Sequence, residues 1–255
     1  MCDDAVLLHL EYSTQWDSLA HMGRAFDADG DGIAEVVYYN GFRADKHIHG
    51  PVRYANGSET PSPGAMGATA LGVETMAESC VQGRGVLVDL HHQFGRQRHL
   101  VGYDDMMRAM DADRVVVEAG DMLCIHTGFG EVVLEQNRKP NAEVMHGSCA
   151  VLDGRDDRLL NWITESGIAV LVTDNYAVEH YPPSITEPPA HGPCAAYPLH
   201  EHCLFRLGLP LGELWYFTEL AAWLRASGRT RFLLTAPPLR LPGAVGSPAT
   251  PVATV

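Results

Sequence analysis

Residues 9–17 alternate polar and mostly apolar side chains with a period of two. The odd positions hold His, Glu, Ser, Gln and Asp, and the even positions hold Leu, Tyr, Thr and Trp. Because a β-strand turns successive side chains to opposite faces, this pattern predicts a strand with one face lined by groups that can bind a metal ion or transfer a proton. A solvent-exposed edge strand alternates in the same way, so the pattern by itself leaves both interpretations open.

The stretch that begins at Glu11 reads Glu-Tyr-Ser-Thr-Gln-Trp-Asp-Ser-Leu-Ala-His. It resembles the signature His-x-Gly-Thr-His-x-Asp-x-Pro-x-His of cyclase-family hydrolases, a group that includes enzymes similar to kynurenine formamidase and isatin hydrolase. Thr14, Asp17 and His21 match the signature. Glu11 and Gln15 stand where the family has its first two histidines, so the chain is identified as a divergent member.

Other stretches extend the resemblance, in the same order, over nearly the whole chain. They resemble a strand after a variable loop, a turn on the substrate side, a core strand, a C-terminal His and Glu pair, and a terminal loop: residues 83–89, 126–128, 172–174, 198–213 and 236–248. The resemblance implies an α/β fold with a mixed β-sheet or barrel-like core flanked by helices. We expect one such domain over residues 1–255.

The resemblance also implies a reaction, namely hydrolysis or cyclisation at an acyl or amide carbon. A divalent metal ion would lower the pKa of a bound water and polarise the carbonyl group. His21 would be the general acid and base, a role that imidazole fills near neutral pH without a special environment. We therefore expect an amide hydrolase, similar to the arylformamidases of tryptophan catabolism, acting on a C–N bond of a small molecule. Trp16 and Thr127 are the expected substrate contacts, although Trp16 also fits a core position.

In the family, the two signature histidines and the aspartate bind metal, and a later His and Glu complete a second position where two ions are present. The corresponding set in this chain is mostly oxygen: Glu11, Gln15, Asp17, His200 and Glu213. Oxygen-rich sites favour Mn²⁺ or Mg²⁺ over Zn²⁺, so manganese is the metal that we expect. Glu201 and His202 adjoin His200, and the spacing to Glu213 does not decide among the three. We choose His200.

Replacement of both signature histidines leaves two other interpretations open. A metal-free lyase or isomerase would keep the pocket and His21 but would bind no ion. A non-catalytic binding protein would keep only the scaffold. Retention of Asp17 and His21, the residues that the chemistry can least easily replace, favours the enzyme.

Short apolar runs bounded by turn residues predict buried strands, and the segments between them predict helices. The strands are expected at residues 85–89, 122–126, 168–173 and 232–235, and the helices at residues 103–110, 155–166 and 214–226. This alternation favours an α/β domain. Residues 5–14 also look like a strand, and nothing precedes them to cover that edge, so we expect an upstream segment or another chain there.

The net charge of −14 disfavours nucleic acid and anionic membranes as partners. Six scattered cysteines without a Cys-x-x-Cys pair, no signal peptide and no bilayer-length apolar run predict a cytoplasmic protein with reduced thiols. We expect a small-molecule substrate and a homodimer or larger homo-oligomer.

Residues 27–32 begin like an EF-hand loop, but Tyr38 stands in place of the bidentate glutamate, so an acidic turn is the preferred interpretation.

Overall fold

The computed structural model describes residues 2–49, 67–183 and 195–255. The strands are β1 (Gln15–Asp17), β2 (Arg24–Phe26), β3 (Glu35–Val37), β4 (Ile48–His49), β5 (Gly67–Ala68), β6 (Gln82–Asp89), β7 (His99–Val101), β8 (Met122–His126), β9 (Ala150–Leu152), β10 (Val170–Thr173), β11 (Leu211–Glu213), β12 (Arg231–Thr235), β13 (Gly246–Pro248) and β14 (Val252–Thr254). The helices are α1 (Glu74–Ser79), α2 (Leu90–Phe94), α3 (Tyr103–Ala112), α4 (Phe129–Glu135), α5 (Ala142–Gly147), α6 (Asp157–Ser166), α7 (Pro198–His200) and α8 (Thr218–Ala226). A 3₁₀ turn covers Tyr39–Gly41, and a π-helical segment, Glu201–Leu207, directly follows α7.

Eight strands form one mixed sheet in the order β13-β1-β11-β10-β8-β6-β12-β14. The four central strands, β11, β10, β8 and β6, are parallel to one another, and the outer strands pair antiparallel with their neighbours. The sheet curls into a half-barrel flanked by helices. The predicted α/β fold with a mixed or barrel-like sheet is therefore confirmed.

Both faces of the parallel strands are buried, as their continuous apolar sequence predicts. In β8, Leu123 and Ile125 pack in a core with side chains of α3 and α6. Met122 and Cys124 pack on the opposite face with side chains of α8. Because apolar packing occupies both faces, polar functional groups are left to the ends of the strands.

Polar residues collect at one edge of the sheet, where the parallel strands end. β6 ends at Asp89, β8 at His126, β10 at Thr173 and β11 at Glu213. The antiparallel strand β1 joins this edge because Gln15 lies opposite Glu213. The carboxyl ends of parallel strands are the usual ligand position in open α/β sheets, so this edge is where a site is expected.

The predicted core strands and helices are present, with shifts at their starts. The helix predicted from residue 155 begins after Asp156, whose side chain accepts hydrogen bonds from the N–H groups of Arg158 and Leu159. The helix predicted from residue 214 begins only at Thr218. Leu214 has a left-handed backbone with φ of 55°, which a helix cannot continue.

The strand predicted at residues 5–14 is wrong, because only Gln15–Asp17 pairs, with β11 on one side and β13 on the other. Val6 and Leu7 are 84% and 90% exposed.

Among the described residues, free thiols are carried by Cys2, Cys80, Cys124, Cys149 and Cys203, and Cys194 lies outside the described residues. None of the helices in the described part of the chain has the length and apolar character needed to cross a membrane.

Candidate metal and acid–base site

Three buried residues from distant parts of the chain, Asp17, His200 and Glu213, meet at the carboxyl edge of the sheet. A ligand atom of each lies within 4.8 Å of a ligand atom of the other two. His200 Nε2 is 3.1 Å from Glu213 Oε1 and 4.0 Å from Asp17 Oδ2. Two carboxylates and an imidazole at these distances form a donor set that suits a divalent cation.

Strand β1 turns Gln15 and Asp17 toward this cluster and turns Trp16 into the core. The Trp16 side chain is fully buried, and its indole N–H donates to the backbone oxygen of Ala236 at 2.7 Å. Its ring packs edge-on against Trp215, with 5.0 Å between ring centroids. This anchor on the opposite face fixes the rotation of β1, and the alternation predicted for the segment holds over these three residues.

Rotating the side-chain amide of Gln15 by 180° exchanges its oxygen and nitrogen positions without changing its shape. The two orientations make different hydrogen bonds. In one, Nε2 donates to Asp17 Oδ1 at 3.3 Å and to Glu213 Oε2 at 3.5 Å. In the other, Nε2 donates to the backbone oxygens of Ser13 at 2.8 Å and Glu11 at 2.7 Å. The second orientation gives the shorter bonds, so we assign it. The Gln15 amide oxygen then joins the carboxylate oxygens of the cluster.

His200 is held from behind by a buried carboxylate, Glu179, that sequence reasoning missed. Glu179 accepts hydrogen bonds from His200 Nδ1 at 2.9 Å, from the His200 backbone N–H at 2.9 Å and from the Leu199 backbone N–H at 3.1 Å. Nδ1 is thereby occupied, and Nε2 faces Glu213. No local signal marks Glu179, because it lies in the segment after β10 and its partners lie in α7, farther along the chain.

Burial and neighbouring charges shift the pKa values of the cluster. Desolvation raises the pKa of Asp17 to about 6, despite the opposing charge of His21. Burial alone would lower the pKa of His200, but the hydrogen bonds and charges of Glu179 and Glu213 outweigh it and raise that pKa to about 10. Negative charge is therefore costly in this cluster, and a cation, here the imidazolium, balances it.

Two buried carboxylate oxygens at the cluster, Asp17 Oδ2 and Glu11 Oε1, have no hydrogen-bond partner among the described residues. Glu11 lies near enough for its charge to raise the pKa of Asp17. An unsatisfied buried acceptor costs about 1–3 kcal/mol, and more when it is charged. Asp17, His200 and Glu213 therefore fit a divalent cation, which would satisfy Asp17 Oδ2.

His21 lies beside the cluster. Its ring centroid is 6.4 Å from that of His200, and its charge lowers the pKa of Asp17. The side chain is partly exposed, and its backbone N–H donates to the Ser18 oxygen at 3.0 Å. An imidazole in this position can exchange protons both with solvent and with a molecule bound at the cluster.

Comparison with known proteins places these observations in a family. The family model described as "Putative cyclase" matches residues 4–180. The chain belongs to the cyclase family. A solved structure described as a novel cyclase is 29% identical to it with a TM-score of 0.74, and the match covers 99% of this chain and 70% of that one. The resemblance inferred from the signature is thus confirmed.

Two further solved structures share the cyclase fold at lower identity. Isatin hydrolase A from Ralstonia solanacearum is 16% identical with a TM-score of 0.51, and the match covers 97% of this chain and 85% of that one. A predicted metal-dependent hydrolase from Bacillus stearothermophilus is 14% identical with a TM-score of 0.50, and the match covers 96% of this chain and 78% of that one. No curated protein sequence matches the chain.

The two residues predicted to contact substrate in this cyclase-family chain are both buried in the structure. Trp16 packs in the core as described above. Thr127 donates its hydroxyl to Asp174 Oδ1 at 2.7 Å and its backbone N–H to the same oxygen at 2.8 Å. Contact of either residue with substrate stays a prediction.

Of the three adjacent candidates in the distal segment, only His200 lies with Asp17 and Glu213. Glu201 accepts hydrogen bonds from the guanidinium groups of Arg24 and Arg206. The Nε2 atom of His202 lies 2.8 Å from the hydroxyl of Thr164. The direction of each side chain follows from the helical turn, which sends neighbouring residues to different sides.

A row of half-buried aromatic rings ends at His200. Tyr176 and Tyr181 lie 5.2 Å apart, and Tyr181 is nearly parallel to Tyr197 at 6.3 Å. Tyr197 in turn lies 5.7 Å from the His200 ring. Flat apolar surface beside a polar cluster suits an aromatic ligand.

A second group of carboxylates, Asp27, Asp29 and Glu35, lies at the surface. Arg43 forms ion pairs with Asp29 and Glu35. Asp27 accepts hydrogen bonds from backbone N–H groups of its own loop, including that of Gly30 at 2.7 Å. The structure thus shows an acidic turn held by its own hydrogen bonds and by one arginine.

Proposed function

We propose that this cyclase-family protein hydrolyses a C–N amide bond of a small aromatic substrate with the help of a divalent metal ion. The buried cluster of Asp17, His200 and Glu213, in which Asp17 Oδ2 has no hydrogen-bond partner among the described residues, carries the proposal. Solved structures with the same fold that are described as isatin hydrolase and metal-dependent hydrolase support the reaction class.

Asp17, His200 and Glu213 would hold the ion, with the oxygens of Gln15 and Glu11 completing its shell. This mostly oxygen donor set favours Mn²⁺ over Zn²⁺. Bound there, a divalent ion supplies a Lewis acid for a carbonyl oxygen and a water of lowered pKa. Its charge would also replace the imidazolium that balances the carboxylates.

His21 is the residue to which we assign proton transfer. Amide hydrolysis forms a C–O bond with the oxygen of water and breaks the C–N bond, and the proton that the water loses must reach the leaving nitrogen. His21 is the partly exposed imidazole beside the cluster and can take and return that proton. His200 is unsuited, because Glu179 occupies Nδ1 and the bound ion would occupy Nε2.

The row of Tyr176, Tyr181 and Tyr197 supports an aromatic substrate. A flat ring held against these tyrosines gains apolar burial and ring contacts. An aryl formamide, or a cyclic amide fused to an aromatic ring, meets this requirement and also carries the carbonyl group that the cluster would activate. An aliphatic amide offers the carbonyl group without the ring.

A hydrolysis screen with Mn²⁺, Zn²⁺ or EDTA tests the proposal. Aryl formamides and fused cyclic amides should turn over with Mn²⁺, and aliphatic amides should be poor substrates. Activity should be lost with EDTA and in Asp17→Asn. The matched control Asp29→Asn, which makes the same change in the exposed acidic turn, should keep full activity. Failure of every amide, or equal turnover with EDTA, would overturn the proposal.

A further inference from the structure

Glu179 forms a second layer behind His200. It is 2% exposed, and both of its carboxylate oxygens are engaged. Oε1 accepts from His200 Nδ1 and from the His200 backbone N–H, each at 2.9 Å, and Oε2 accepts from the Leu199 backbone N–H at 3.1 Å. One carboxylate thus fixes both the imidazole ring and the backbone that carries it.

Glu213, the other carboxylate on His200, is bound differently. Its Oε1 atom faces His200 Nε2 at 3.1 Å, and no backbone N–H among the described residues donates to its side chain. Glu213 can therefore exchange its contact with His200 for a contact with a cation. Glu179 cannot do so without losing its three bonds to α7.

The backbone at Gly154 comes close to Glu179. A Cβ atom built on Gly154 would overlap Oε2 of Glu179 and would lie 3.0 Å from the backbone nitrogen of Leu199. Only glycine, which has no side chain, permits this approach. The backbone of Glu179 is itself tied to Leu152 by an isolated β-bridge, so the carboxylate is held from two sides.

We propose that Glu179, seated on Gly154, is a positioning residue that fixes the His200 ring with its proton on Nδ1, so that Nε2 is presented to the divalent cation. This inference rests on the proposed function. A carboxylate behind a metal-binding histidine sets the ring's tautomer and orientation and raises its basicity, and its loss typically weakens metal binding about 10–100-fold.

Titration of the metal-stripped full-length protein with Mn²⁺ tests the inference. Glu179→Gln keeps the side chain's length and removes its charge, and Gly154→Ala displaces the carboxylate without changing it. Each should weaken Mn²⁺ binding about 10–100-fold, with the fold checked by circular dichroism. Glu201→Gln is the matched control, since it makes the same change one residue from His200, and it should leave the affinity unchanged.

Side-chain ¹H–¹⁵N NMR of the metal-free protein separates this inference from the proposed function. The His200 Nδ1 proton should give a slowly exchanging, low-field resonance that Glu179→Gln shifts or removes and that Glu201→Gln preserves. Wild-type protein that shows this resonance but binds no Mn²⁺ would overturn the metal-dependent function and leave the positioning of His200 supported. An unaltered resonance in Glu179→Gln, or unchanged Mn²⁺ affinity in both variants, would overturn the role of Glu179.

Discussion

Gln15 and Glu213 stand directly opposite each other in the antiparallel pair of β1 and β11. This register brings the start of the signature strand to the carboxyl end of a parallel strand, where Asp17 and Glu213 reach the same cluster. Because side chains alternate along a strand, a slip of one residue would turn Trp16 toward the cluster and Asp17 into the core. Strand register, fixed by the buried Trp16, therefore determines whether the donor set exists.

Asp17→Asn should remove Mn²⁺ binding and yet stabilise the metal-free protein at neutral and higher pH. Burial raises the pKa of Asp17 to about 6 from its ordinary 3.8. Folding therefore favours the protonated carboxyl, whose contribution is present below the ordinary pKa and is lost as the pH rises through about 6. Above that pH the ionised group costs up to about 3 kcal/mol, a cost that the amide avoids.

Urea unfolding in EDTA, on both sides of the raised pKa of Asp17, measures this effect. The unfolding free energy of Asp17→Asn should rise relative to that of the wild type as the pH increases. In a parallel series without EDTA, added Mn²⁺ should stabilise the wild type and leave the variant unchanged. A variant that is less stable than the wild type above about pH 6 would contradict the assignment of an uncompensated buried carboxylate.

His21→Asn should lower kcat by about 10²–10⁴-fold, the usual contribution of a general acid and base. Its affinity for Mn²⁺ should not change, because His21 lies beside the donor set. His202→Asn is the matched control, since its ring nitrogen contacts Thr164 instead of the cluster. If His21→Asn weakens Mn²⁺ binding as strongly as Asp17→Asn does, His21 is a ligand and the assignment of proton transfer is wrong.

The local part of the site could be predicted from the sequence, and the part that depends on distant contacts could not. Gln15 and Asp17 share a face because of the period of two in a strand, which short-range geometry fixes. The local sequence does not identify Glu179, because its role depends on hydrogen bonds to α7, which lies farther along the chain.

Strand formation shows the same limit. The alternation in residues 9–14 is as regular as that in β1, but a strand needs a hydrogen-bonding partner. In the structure β11 and β13 pair only with Gln15–Asp17, so the pattern continues where no strand forms. The parallel strands β6, β8 and β10 are predictable because continuous apolar runs have few alternatives in a packed α/β core. The parallel strand β11 is only Leu211–Glu213 and has no such run, so the sequence does not mark it.

Trp16→Phe should lower the free energy of unfolding by about 1–2 kcal/mol and leave KM unchanged. The variant loses the indole donor to the Ala236 oxygen, and both residues are fully buried. Trp223→Phe, at a side chain that is 41% exposed, should change stability by no more than about 0.5 kcal/mol. A rise in KM without loss of stability in Trp16→Phe would instead support contact between this ring and the substrate.

The His126→Asn variant should lose part of the pH dependence of stability. Burial lowers the pKa of His126, but the hydrogen bond with Asp89 at 2.9 Å and the charges of Asp174 and Asp89 outweigh it, so the pKa is raised overall. A raised histidine pKa gives stability that is fully present below its unfolded-state pKa of about 6.5 and is lost as the pH rises through the folded-state value.

The difference in unfolding free energy between wild type and His126→Asn, measured in EDTA, should therefore shrink as the pH rises above the unfolded-state pKa of about 6.5. His146→Asn, at an exposed histidine, serves as the control and should parallel the wild type. A difference that stays constant as the pH rises would mean that folding does not raise the pKa of His126, and the proposed charge interaction with Asp89 and Asp174 would be wrong.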